Sequence, residues 1–151
     1  MRLAETEDLP TLVDLMADFY AESGYALGRA RAAEAFSALL GDSRLGRVWL
    51  IEQGSTVAGH IVVTFVFAME YGGHMAVVDD FYVRPAFRGA GLGTAALAEV
   101  RRACTELGMR AMRVEVGGDN AVAQAMYRRV GFETVDHQLM TLPLAEPTHL
   151  L

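Results

Sequence analysis

Residues 88–94 read Arg88-Gly89-Ala90-Gly91-Leu92-Gly93-Thr94. The stretch before them, Asp79-Asp80-Phe81-Tyr82-Val83-Arg84-Pro85, reads as the end of a strand, and Pro85 stops it. Strand, glycine-rich turn and helix N-terminus together make an anion site from backbone alone. The first-turn amides of a helix have no intrahelical acceptor, and the helix dipole adds partial positive charge. Glycines let the chain approach a phosphate with no Cβ in between. The glycines here are Gly89, Gly91 and Gly93, flanked by Arg84 and Arg88. A dinucleotide fingerprint needs its third glycine where Thr94 stands, and a strand that opens a βαβ unit. Neither condition holds, so a dinucleotide is not expected.

Downstream, a helix is expected over residues 92–107, with Leu97, Val100, Cys104 and Leu107 as its buried stripe and Gly108 as its C-terminal cap. Cys104 then reads as a small core residue. Residues 110–116 alternate as a strand. Gly117-Gly118-Asp119-Asn120 is a turn that ends in a helix N-cap residue, and a last helix spans 121–130. Short strands over 133–135 and 138–142 are expected to finish the sheet, and 143–151 to be a loose tail. Upstream, helices are expected over 8–20 and 29–40, then an antiparallel meander over 48–52, 56–69 and 74–83, with Ser23-Gly24, Gly41 and Gly72-Gly73 as the breaks. With a strand at 2–4 the order is βααβββαβαββ. That is an α/β (α+β) chain with a mostly antiparallel sheet. Its strand at 110–116 is reached through a helix, so one parallel pair is expected.

The 151 residues suit one domain, 1–151, and 52% hydrophobic against 21% charged residues marks a folded globular chain. No apolar stretch approaches a membrane span, and the start runs straight into acidic residues, so neither a membrane association nor a signal peptide is expected. One cysteine excludes an intramolecular disulfide and a cysteine-based zinc site, and the cytoplasm is the expected compartment. All 13 basic side chains are Arg, which removes a P-loop lysine, a Schiff-base lysine and a lysine nucleophile. His60, His74, His137 and His149 have no metal-ligand spacing, so no metal is expected. Charge is uneven: residues 1–83 carry a net −7, residues 84–131 a net +4, and residues 132–151 a net −3. A basic middle in an acidic chain suits an anionic ligand there, and the overall net charge of −6 argues against nucleic acid as the main partner.

Residues 88–93 match the R/Q-x-x-G-x-G/A motif of the GCN5-related N-acetyltransferases (the GNAT superfamily), and the chain resembles a small bacterial-type single-domain member. Asp79 to Pro85 looks like the family's fourth strand. Asn120-Ala121-Val122-Ala123-Gln124-Ala125-Met126-Tyr127-Arg128-Arg129-Val130-Gly131-Phe132 is similar to its N-x-x-A-x-x-x-Y-x-x-x-G-F segment, and the opening from Arg2 to Pro10 looks like its start. The resemblance implies a mixed sheet with a splayed central strand pair flanked by about four helices. It implies acetyl-CoA as donor, with the amides of Arg88, Gly89, Ala90, Gly91, Leu92, Gly93 and Thr94 on the pyrophosphate. The backbone of Phe81, Tyr82 and Val83 would pair with the pantetheine arm, flanked by Asn120 and Ala123. Tyr127 would sit near the thioester sulfur and protonate it. Many members pair, so a homodimer is expected.

The implied reaction is direct attack by a primary amine on the thioester in a ternary complex. An alkylamine with pKa ~10.4 is neutral in only about one molecule in 2,500 at pH 7, so a proton must be removed. Glu115 matches a glutamate that serves as base in some relatives, and Asp79 and Asp80 are its rivals, with water as a further route. Strand alternation sends Asp79 and Asp80 to opposite faces, so one of them is expected to face the site. For the acceptor, family pattern points to the first helix pair and its loop, here Tyr20, Glu22 and Tyr25, and the stretch from Tyr71 to His74 is a candidate for another wall. Acidic and aromatic residues suit a small cationic amine of polyamine, amino-acid or amino-sugar type. The alternatives are a protein or peptide acceptor, another acyl-CoA, or a non-catalytic acyl-CoA-binding module. Each of these residues also has a purely structural reading: Tyr127 as a core tyrosine, Asn120 as a cap, the tyrosines as packing of the helix pair, and the carboxylates as ion-pair partners.

Overall fold

The apolar period changes from helical to strand-like after Gly41, and the chain follows it. The computed structural model describes residues 1–145. Its elements are β1 (Arg2–Leu3), α1 (Leu9–Glu22), α2 (Arg29–Gly41), β2 (Gly46–Gln53), β3 (Thr56–Ala68), β4 (Gly73–Val83), α3 (Leu92–Glu106), β5 (Met112–Val114) and α4 (Ala121–Val130). The strands form one sheet in the order β1-β2-β3-β4-β5. Neighbours from β1 to β4 are antiparallel, and β4 and β5, joined through α3, are parallel. This is the α/β, mostly antiparallel sheet with one helix-linked parallel pair that the pattern required. Among the described residues no helix is long and apolar enough to cross a membrane.

The sheet is buried on both sides, which explains why its strands read as nearly continuous apolar runs. Trp49, Ile51, Ile61, Val63 and Val78 pack on one face with Leu97, Val100 and Cys104 of α3 and Val130 of α4. Val48, Leu50, Val62 and Tyr82 pack on the other with Leu12, Leu15 and Met16 of α1 and Phe36 of α2. Cys104 is 1% exposed, and burial pushes its thiol up to about 11, so it is the inert core residue its position on the stripe implied.

Two irregularities shape the functional end. Val62 pairs with Asp80 and Val63 with Val78, so Asp79 is an extra, unpaired residue on β4. Such a bulge re-aims the side chains around it. The β4–β5 ladder covers three pairs and ends at Val78 with Val114, while β4 runs on to Val83. Beyond that point the two strands part.

Three expectations need correction. The parallel strand spans three residues, because β5 has no partner once β4 turns away. Residues 133–142 form no strand, and the sheet ends at β5. Their apolar residues Val135, Leu139, Met140 and Leu142 are exposed, since the three-residue edge of β5 offers little to pair with. Leu107 is exposed as well, because α3 ends at Glu106 before the stripe reaches it. Residues 143–145 carry no helix or strand, and the rest of the expected tail lies outside the described residues.

Candidate active site

The glycine loop is held open by backbone geometry. Gly89 and Gly91 have φ of 84° and 78°, the left-handed region where a side chain is strained. Gly91 is the N-cap of α3, and no side chain caps that end. The first intrahelical bond there runs from the Ala95 N–H to the Gly91 carbonyl at 3.0 Å. The amides of Leu92, Gly93 and Thr94 therefore have no intrahelical acceptor. Gly93 serves a different purpose. A Cβ there would lie 3.2 Å from Phe81 Cζ and 3.4 Å from Met126 Sδ, so its missing side chain lets α3 sit close to β4 and α4.

The arginines beside the loop turn inward. Arg88 donates from Nε to the Val83 carbonyl at 2.7 Å and from Nη2 to both Glu22 oxygens at 2.9 Å. Its guanidinium lies 5.5 Å from the Tyr82 ring centroid, and Tyr82 donates its hydroxyl to Glu22 at 3.3 Å. Arg84 donates to the Val57 carbonyl at 2.9 Å and stands 3.7 Å from Asp18. Glu22, expected beside the acceptor, is thus the anchor that ties the end of α1 to the loop.

Carboxylates gather where β4 and β5 part. Asp80 is buried, whereas Asp79, on the bulge, is open on one side. Loss of solvent around its carboxyl, then the charges of Asp80 and Glu115, raise the Asp79 pKa above its ordinary value. The Tyr20 phenol faces the same group. Burial, then Asp80 and Asp79, push its pKa up. The bulge thus corrects the alternation argument: both aspartates border one cluster with Tyr20 and Glu115. Phe19 stacks on Tyr82 at 5.4 Å and meets Tyr20 edge-on at 5.4 Å, completing an aromatic wall.

Tyr127 projects from α4 into the other core. It is 8% exposed and lies edge-on to Phe81 at 6.4 Å and Phe132 at 5.5 Å. Burial pushes its phenol up to about 12, so it keeps its proton at neutral pH and can act as a donor. Asn120 caps α4 by accepting the Ala123 N–H at 3.1 Å. At the other end, the amides of Gly131 and Phe132 bond back to the carbonyls of Arg128 and Tyr127.

Two expected acceptor residues stand apart from the cluster. Tyr25 is exposed beyond the end of α1. Tyr71 sits on the β3–β4 hairpin under Arg113, which also pairs with Glu70. The start of β4 at Gly73 is six residues from Asp79, about 20 Å at a strand's rise, so Tyr71 does not reach the cluster.

Sequence reasoning missed His60. It is fully buried, neither ring nitrogen has a hydrogen-bond partner, and Nε2 stands 4.0 Å from Asp80 Oδ2. An unpaired buried polar group costs about 1–3 kcal/mol, so its presence asks for a reason. The available signal was a histidine inside the apolar run from Gly59 to Val63.

The sequence profile of the Acetyltransferase (GNAT) family matches residues 10–132. Thialysine N-epsilon-acetyltransferase of Mus musculus is 30% identical over 79 residues, which are 52% of this chain and 46% of the mouse protein. The chain thus matches about half the length of that curated relative. The crystal structure of an integron cassette protein from the mobile metagenome of Cole Harbour Salt Marsh superposes with a TM-score of 0.90 at 48% identity, covering 99% of this chain and 93% of that one. The structure of a predicted acetyltransferase with acetyl-CoA from Clostridium acetobutylicum superposes with a TM-score of 0.79 at 18% identity, covering 93% and 94%. With the uncapped helix behind its glycine loop, the parted strands and the profile match over most of its length, this chain belongs to the GNAT acetyltransferase family.

Proposed function

We propose that the protein transfers an acetyl group from acetyl-CoA to a primary amine of a small cationic molecule. The observation that carries this reading is a juxtaposition along β4. Its C-terminal end leads into an uncapped helix N-terminus suited to a diphosphate, and its bulge presents carboxylates suited to an ammonium group. The open backbone at Gly89 and Gly91, where a Cβ would meet empty space, fits a bound diphosphate. When bound, acetyl-CoA supplies an acetyl group activated as a thioester.

The chain's own residues would do the rest. The amides of Leu92, Gly93 and Thr94 would hold the diphosphate. Past Val78, the unpaired edge of β4 at Phe81–Val83 would receive the pantetheine arm as an added strand, with Asn120 and Ala123 beside it. A carboxylate of the cluster takes one proton from the ammonium, and the nitrogen lone pair so freed forms the new N–C bond. Tyr127 gives its proton to the departing sulfur as the C–S bond breaks. The second amine proton, released as the amide forms, returns to Tyr127, and the carboxyl loses its proton to water. The acidic and aromatic wall of Asp79, Asp80, Glu115, Tyr20 and Phe19 favours a cation.

The mouse relative is named for an ε-amine acceptor, which supports the same class. The free thiol of Cys104 supports a cytoplasmic setting. The exposed apolar residues Val135, Leu139, Met140, Leu142 and Leu144, past a sheet that ends at β5, support a homodimer, testable by light scattering.

The test is thermal unfolding with acetyl-CoA, NAD and ATP, followed by CoA release with polyamines, amino acids, aminoglycosides and peptides. Stabilisation by acetyl-CoA alone and CoA release with a small amine are expected. Absence of any shift at millimolar acetyl-CoA would overturn the donor site, and release only with peptides would overturn the acceptor class.

A further inference from the structure

We propose that His60 is the positioning residue for Asp80, and that Asp80 is the carboxylate that takes the proton from the amine. This rests on the acetyl-transfer reading and adds the choice among Asp79, Asp80 and Glu115. Three observations separate Asp80 from its rivals. It is the buried member of the cluster, while Asp79 and Glu115 are exposed. The Tyr20 hydroxyl is within hydrogen-bonding reach of it, whereas Asp79 bears on that phenol through charge alone. On the core side stands a fully buried imidazole with both nitrogens unbonded, its Nε2 4.0 Å from Asp80 Oδ2.

His60 is fixed by its neighbours. The Phe36 ring lies edge-on at 6.2 Å and the Tyr82 ring is tilted at 6.4 Å, so the imidazole is wedged between α2 and β4. β3 sets its direction, since His60 pairs across the ladder with Tyr82 and Val62 pairs with Asp80. Closing the 4.0 Å gap by about 1 Å brings Nε2–H into hydrogen-bond range of Oδ2. The donor then holds the carboxylate in its charged form and leaves Oδ1 for Tyr20 and the ammonium. In the step itself an N–H bond of the ammonium breaks and an O–H bond forms on Asp80. The nitrogen keeps the electron pair that makes the new N–C bond, and His60 keeps its own proton throughout.

The groups that bear on the pair come from each packed element. They are Tyr20 and Asp18 from α1, Asp79 and Tyr82 from β4, Glu115 beyond β5, and the Glu22–Arg88 pair on the Tyr82 hydroxyl. The α2 neighbour, Phe36, does not titrate.

Two measurements test the pair. In the first, the protein carries histidine labelled at the ring nitrogens and is followed by NMR at one neutral pH, with the His60 signals identified by their loss in His60→Phe. Asp80→Asn is expected to move the His60 ring-nitrogen resonances, and unmoved resonances would overturn the pairing. This readout needs no turnover. If no amine releases CoA, the acetyl-transfer reading fails while the pairing is still decided.

In the second, His60→Phe fills the same space without a donor. It is expected to retain the thermal shift with acetyl-CoA and its KM, to lose about tenfold or more in kcat, and to move the rising limb of the kcat–pH profile to higher pH. His60→Gln, with an amide N–H near the place of Nε2, is expected to recover part of the loss. If His60→Phe does not fold, His60→Gln carries the kinetic comparison. A wild-type kcat and pH profile in a folded His60→Phe or Asp80→Asn would overturn the proposal.

Discussion

Gly59 and Gly46 allow the β4 edge to be tested with an internal control. A Cβ at Gly59 would lie 2.0 Å from the Tyr82 carbonyl oxygen, and one at Gly46 would lie 2.1 Å from the Val63 carbonyl oxygen. The steric insult is the same. A carbon approaches a carbonyl oxygen to about 3.3 Å, so alanine at either place forces its strand pair apart by roughly 1.3 Å. Overpacking of this kind costs about 1–3 kcal/mol. For a domain of this size, that lowers Tm by roughly 2–12 °C. Location separates the two. Gly59 pairs with Val83 and presses on the segment expected to hold the pantetheine arm. Gly46 pairs with Thr64, five residues along β3, about 16 Å away. A shift above 1 Å breaks a backbone hydrogen bond of ordinary length, and losing one or two such bonds to the arm weakens binding about tenfold. At a concentration 100 times the wild-type Kd, acetyl-CoA stabilises the native state by ~2.7 kcal/mol, and after a tenfold loss by ~1.4 kcal/mol. Differential scanning fluorimetry should therefore show comparable Tm losses without ligand, and an acetyl-CoA shift about halved in Gly59→Ala alone. A full shift in Gly59→Ala, or equal losses of shift in both variants, would refute the placement of the arm on β4.

Three further outcomes follow from the site. Tyr127→Phe keeps the packing on Phe81 and Phe132 but loses the proton held by a phenol near pKa 12; kcat for CoA release should fall about 100-fold with acetyl-CoA KM unchanged, and an unchanged kcat would remove Tyr127 from the chemistry. Asn120→Ala removes the cap on Ala123 and should cost about 1 kcal/mol in urea unfolding, whereas Asn120→Asp keeps the cap; if Asn120→Asp still weakens acetyl-CoA in calorimetry, Asn120 is a ligand as well as a cap. Asp79 has a raised pKa, so below the unfolded value near 3.8 it costs nothing, and stability is lost as pH rises toward its folded value. Asp79→Asn should accordingly raise Tm at pH 7 and match wild type below about pH 3.8, and a lower Tm at pH 7 would show that the carboxylate stabilises the fold.

The sequence showed those features that one residue's local chemistry decides. The glycine turn at Gly89 and Gly91, the Asn120 cap of α4 and Gly108 after α3 each depend on a single torsion or a single hydrogen bond. What depends on a distant surface was not legible. Residues 133–135 and 138–142 read as short strands, but such a segment pairs only if an edge is offered, and β5 offers three residues. Asp79 and Asp80 follow the alternation rule until the bulge places them beside the same phenol. Glu22 looked like an acceptor group because its partner, Arg88, is 66 residues away. His60 had no local signal beyond its polarity.

The charge asymmetry has a structural meaning that differs from its first reading. A basic middle suggested a field of arginines for an anion. Among the described residues, Arg84, Arg88, Arg102 and Arg113 each meet a carboxylate: Asp18, Glu22, Glu106 and Glu70. Two of these pairs join α1 to the loop region, so the acidic first half and the basic middle hold each other. Arg88 sits at the loop but faces Val83 and Glu22, and its guanidinium braces the strand end that precedes Gly89. In the proposed reading, anion recognition falls to the uncapped amides of α3, whose dipole does not titrate. The proposed backbone site for phosphate is compatible with an overall acidic chain, and the proposed cation site draws on the carboxylates where the strands part.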